Sequence, residues 1–128
     1  MSDLQPVGIV LKLRDGVERR ILFTLSVVDE IQSHYDLTVP EVFAKTGEAK
    51  EQSDALGFIV LSLINNAIKR ENRLRGTDEP YLTMEYVKDN IDMLIIPEIN
   101  RAIAKSYGYS VPEPDEDDEP DPKKGPSR

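Results

Sequence analysis

The segment that most constrains this chain is Leu56-Gly-Phe-Ile-Val-Leu-Ser-Leu-Ile-Asn-Asn-Ala-Ile68, a run without a single charged residue. Its spacing predicts the longest helix of the protein, from about Glu48 to Arg73. At about 100° per residue, Leu56, Ile59, Val60, Leu61, Leu63, Ile64, Ala67 and Ile68 cover an arc of about 200°, wider than the apolar stripe of an ordinary surface helix. A helix of this kind is a central core element that the rest of the chain must wrap. Leu61 lies at the edge of the arc. Phe58 falls about 60° beyond it, near Asn65 and Lys69, where it reads as an exposed aromatic on a polar face.

The N-terminal part supplies strands. Val7 to Leu13 is rich in β-branched and large apolar residues, and Arg14-Asp15-Gly16 separates it from Val17-Glu-Arg-Arg-Ile-Leu-Phe23. Asp-Gly between two such runs predicts a hairpin with a type I′ turn, both central residues at φ > 0, and strands near 7–14 and 17–24. Ile9, Leu11 and Leu13 share one face. A lone hairpin is marginal in water, so that face is expected to lie on helices.

Shorter helices surround the central one. Ser26 is expected to cap a helix ending near Tyr35, with Asp29 and Glu30 in its first turn. Thr38-Val-Pro-Glu41 has the Thr, the early Pro and the Glu at N3 that form a capping box, and Gly47 is expected to stop that helix. Leu82-Thr83 opens another helix, from Met84 to about Asp92. Pro97 disfavours helix at Ile96 and predicts a break before a final helix in which Ile95, Ile99, Ala102 and Ile103 make one stripe, with Gly108 closing it. The predicted fold is therefore α+β, mainly α: one domain over residues 1–110, with a hairpin packed on four to five helices.

Residues 111–128 have a different composition. They hold Glu113, Asp115, Glu116, Asp117, Asp118, Glu119 and Asp121 against Lys123, Lys124 and Arg128, so half of the formal charge of −8 lies in this segment. Five prolines and almost no apolar residue leave it nothing to bury, and it is expected to be a disordered acidic tail. Alternating oxygen ligands and a turn glycine, which a calcium loop needs, are missing from Asp115 to Asp121.

Few chemistries remain open. The chain has no cysteine, which excludes disulfides, thiolate zinc sites and thiol nucleophiles. His34 is its single histidine and has no Ser-His-Asp or metal-ligand spacing around it. The glycines stand singly, and none forms a phosphate loop. Asp29-Glu30 and Asp78-Glu79 read as helix-start and loop charges. Arg19-Arg20 and Lys69-Arg70, Arg73 and Arg75 read as solvated positions at the ends of elements, and the acidic balance argues against nucleic acid. No run approaches the roughly 20 apolar residues of a membrane span, and the N-terminus lacks the features of a secretion signal, so the expected setting is the cytoplasm. No catalytic residue, metal or cofactor is expected.

The order of elements resembles a known family. A hairpin of the form Val-Leu-Lys-Leu-Arg-Asp-Gly-Val-Glu-Arg-Arg-Ile-Leu-Phe, a long apolar helix ending Asn65-Asn-Ala-Ile-Lys-Arg-Glu-Asn72, and Tyr81-Leu-Thr-Met-Glu-Tyr-Val87 opening the next helix are similar to the tail assembly chaperones of long-tailed bacteriophages and prophages. The likeness spans about residues 7–107. It implies a non-enzymatic protein of the bacterial host cytoplasm that coats the long helical tape-measure protein, helps recruit tail tube subunits, self-associates, and in many members has a frameshifted longer form. The partner-binding residues expected on this reading are Phe58, Leu61 and Asn65. The alternative is a small acidic regulatory or inhibitory binding protein, such as a nucleic-acid mimic, which would need carboxylates spaced over a rigid face.

Overall fold

In the computed structural model, residues 9–110 are described. The acidic segment, and the first two residues of the expected first strand, lie outside them. Strands β1 (Ile9–Lys12) and β2 (Glu18–Ile21) form an antiparallel hairpin in which Ile9 faces Ile21 and Lys12 faces Glu18. Five helices follow: α1 (Leu25–Tyr35), α2 (Val39–Lys45), α3 (Gln52–Arg75), α4 (Met84–Asp89) and α5 (Ile96–Ser110). The fold is α+β and mainly α, with the hairpin laid on the helices as its alternation required. Leu11, Leu13, Ile21 and Phe23 are buried on the inner face, covered by α5 on the β1 side and α3 on the β2 side. No helix among the described residues is long and apolar enough to cross a membrane.

The hairpin turn is not type I′. Only Gly16 enters the left-handed region, at φ +78°, and Asp15 does not. Leu13 to Val17 form a longer connection closed by the Gly16 N–H to the Leu13 carbonyl at 3.0 Å. The Asp15 carboxylate explains the difference. It accepts the Val17 N–H at 3.0 Å, two hydrogen bonds from Arg19 at 3.3 and 2.9 Å, and the Tyr86 hydroxyl at 2.5 Å. Turning Asp15 over into the left-handed region would point its side chain away from these partners.

Helix ends follow local hydrogen bonding where composition alone misplaces them. Thr24, not Ser26, caps α1, its hydroxyl accepting the Val27 N–H at 3.3 Å. Phe23 is locked into the core by edge-on contact with Phe43 and Tyr107, so the chain turns directly after it and Thr24 is the first residue able to cap. Asp29 and Glu30 then fall beyond the first turn. Glu30 instead accepts from Ser62 and Asn66 on α3, at 2.9 and 2.7 Å.

At α2 the capping box forms as expected: Glu41 N–H donates to the Thr38 hydroxyl, and Thr38 N–H to the Glu41 carboxylate at 2.8 Å. That helix ends at Lys45 rather than Gly47, because the Thr46 hydroxyl bonds back to the Phe43 carbonyl at 2.7 Å. Helix α4 stops at Asp89, short of Asp92, since the Asn90 carbonyl is turned to the hairpin and accepts the Arg14 N–H at 2.9 Å. The break lies before Ile96 rather than at it: Ile96 opens α5, and Pro97 sits in the first turn, where its missing N–H costs no helical bond. Asp92 caps the break with bonds from the Leu94 and Ile95 N–H groups, after which α5 runs through Gly108 to Ser110.

Candidate functional site

The central helix is enclosed over its first half. Every residue from Ala55 to Val60 is buried, Gly57 and Phe58 among them. Phe58 is therefore not the exposed aromatic its angular position suggests; it is 9% exposed. The last turn of α1 crosses that face, placing the His34 ring parallel to Phe58 at 3.9 Å between centroids and Tyr35 edge-on at 5.7 Å. The Tyr35 hydroxyl donates to Asp54 at 2.6 Å, and burial together with that bond holds its phenol well above the usual range. About a quarter-turn round the helix, α4 approaches closely: a Cβ on Gly57 would lie 3.2 Å from the Met84 sulfur.

Asn65 is also used inside the domain. Its side-chain oxygen accepts the Leu82 N–H at 2.8 Å, and its amide donates to the Leu82 carbonyl at 2.9 Å, as a neighbouring strand would. Two turns on, Asn72 does the same for Glu79, accepting its N–H at 2.9 Å and donating to its carbonyl at 3.1 Å. The pair clasps the 77–83 connection along α3. Leu61 is half-buried against the core. The three residues expected to bind a partner are thus not brought together as an exposed ridge.

What the structure brings together instead is a groove of about 620 Å³ between the second half of α3 and the β2–α1 junction. On α3, positions 66, 69, 70 and 73 recur at helical spacing and turn Asn66, Lys69, Arg70 and Arg73 to one side. Ala67, the smallest side chain on that side, leaves the depression. The opposite wall is Arg20, Leu22 and Thr24, then Leu25 at the start of α1. Leu25 is 81% exposed and Leu74, at the far end of the α3 wall, 69%. One exposed leucine is ordinary, but two lining one groove form an apolar patch.

The groove is cationic. Arg19 is turned away to Asp15, and Glu71, the one acidic residue lining the groove, pairs with Arg75 at 2.9 Å. Arg20, Lys69, Arg70 and Arg73 make no ion pair among the described residues. The basic residues that read as two separate solvated clusters therefore divide differently in space, with Arg20 joining the α3 cations across the groove. The helical half of this signal is legible in the spacing of 66, 69, 70 and 73. Apposition to Arg20 and Leu25, more than forty positions earlier in the chain, is not.

The groove thus sets the apolar side chains of Leu22, Leu25, Ala67 and Leu74 among the basic side chains of Arg20, Lys69, Arg70 and Arg73. Comparison with family models, with curated proteins and with solved structures returns no match for this chain.

Proposed function

We propose that this protein is a non-enzymatic tail assembly chaperone that docks a helical segment of the tape-measure protein in the α3/β2–α1 groove and so keeps that client soluble while tube subunits are recruited. The reading rests first on the resemblance in element order. The observation that carries it to a site is the pair Leu25 and Leu74, two exposed leucines on the walls of one amphipathic groove. A groove with an apolar floor and cationic rim is complementary to an amphipathic helix with apolar anchors at i, i+3 and i+4 and acidic residues on its flanks. The net negative charge of the chain as a whole opposes aggregation of the complex. The nucleic-acid-mimic alternative draws no support from a groove whose rim is Arg and Lys.

Co-expression with a long helical tape-measure protein tests the proposal. Wild type should raise the soluble fraction of that client, and the double variant Leu25→Asp/Leu74→Asp should not, while keeping its circular dichroism. Client solubility indifferent to the wild-type chain would reject the chaperone reading. Equal rescue by the double variant would retain the function and reject the groove.

A further inference from the structure

The cationic groove has a complementary segment within the same chain. We propose that residues Glu113 to Asp121 dock on Arg20, Lys69, Arg70 and Arg73 of their own molecule. Between Glu113 and Asp121 every residue except Pro114 and Pro120 is acidic, and the four groove cations have no anionic partner among the described residues. Charges of opposite sign on one chain attract most strongly when a short tether holds them together.

The end of α5 places that tether. Tyr107 packs edge-on against Phe23 at 5.1 Å between centroids, and the residues on either side of Phe23, Leu22 and Thr24, both line the groove. The five Cα-to-Cα steps from Ser110 to Asp115 span up to about 16 Å when extended, and the acidic stretch itself about 30 Å. The cationic face it must cover, Lys69 to Arg73, rises only about 6 Å along the helix. A tether this short gives an effective concentration on the order of millimolar.

The docking is electrostatic and incomplete. Glu113 to Asp121 contains no apolar side chain, so it engages the rim and leaves Leu25 and Leu74 uncovered. Such an occupant weakens with salt and yields to a ligand that offers both acidic flanks and apolar anchors. If the groove serves a helical client, as proposed above, the segment guards it against weakly matched anions; that consequence rests on the chaperone reading, whereas the docking itself does not.

Because the chain has no cysteine, one nitroxide can be attached uniquely at Pro122→Cys of the full-length protein. Amide signals of residues 20–26 and 66–74 should lose intensity at low ionic strength and recover it at high ionic strength. Adding Arg70→Glu and Arg73→Glu should abolish the loss. Intensity loss that is spread over the whole domain, or that survives the charge reversal, would overturn the proposal. Loss appearing only when labelled chains are mixed with isotope-enriched unlabelled ones would overturn it in favour of a second copy as the occupant. No client is present in this measurement, so its outcome is independent of the co-expression test.

Discussion

The two halves of α3 are one continuous helix in opposite surroundings. From Ala55 to Ile64 it is a pillar with α1 on one flank and α4 on another, and only Leu61 reaches partly to solvent. From Asn65 to Arg75 it is a wall in which no residue is fully buried and only Ile68 still packs on the core, with its asparagines clasping a loop and its cations facing a groove. No break, proline or cap separates the two; side-chain chemistry alone does. The difference teaches that the wide apolar arc reports how much of a helix is covered only where neighbouring elements reach it, and here they reach the first half.

The largest expected effect tests the pillar. Ile64→Asp places an unpaired charge at a site 1% exposed and should cost on the order of 4 kcal/mol or more, enough to unfold a marginally stable domain. Native circular dichroism and melting in that variant would break the comparison outright. Phe58→Ser should cost about 3 kcal/mol by removing the ring between His34 and Tyr35, read as a lowered urea midpoint. A Phe58 variant as stable as wild type would mean that the α1 flank does not cover the pillar.

The middle of the range falls at the boundary. Asn65→Ala leaves the Leu82 N–H and carbonyl without their side-chain partner and should cost about 1–3 kcal/mol, with faster amide exchange confined to the 77–83 connection.

Acid should separate the halves in a different way. The Arg19 hydrogen bonds, with those from Tyr86 and Val17, hold the Asp15 carboxyl well below the usual range. The folded state therefore binds this proton more weakly than the unfolded chain. The stabilisation is complete above the unfolded carboxylate pKa of about 4 and is lost as pH falls below it. Since β2 stands across the groove from the α3 wall, hydrogen exchange there should accelerate on acidification before exchange in 55–64 does. Simultaneous loss of protection would contradict the division. The smallest effect belongs to the wall itself: Leu74→Asp should shift stability by no more than about 0.5 kcal/mol.

Much of this was legible from local chemistry. The Thr38/Glu41 capping box and the inward face of Leu11 and Leu13 depend on neighbours a few positions apart, and each is present where expected. Phe58 was misread because its surroundings are set by α1, whose approach depends on Phe23 fixing where that helix begins. The turn at Asp15 was misread for a similar reason, since Arg19 and Tyr86 compete with the conformation an Asp-Gly pair prefers in isolation. The groove was missed because half of it comes from β2 and α1, far from α3 in the chain. The misreadings of Phe58, of the Asp15 turn and of the groove each involve a partner distant in sequence.

The clasp between Asp15 and Tyr86 joins residues 71 positions apart, and β1 is covered by α5, the last helix made. During synthesis the hairpin is therefore made well before the elements that secure it. Two strands alone are marginal in water, so Leu11 and Leu13 have no lasting shelter until α5 emerges. At about 5–20 residues per second, the interval between the two is on the order of ten seconds. Folding of the hairpin thus waits on α5, and a nascent chain stalled before α5 would leave the apolar face of β1 exposed to solvent.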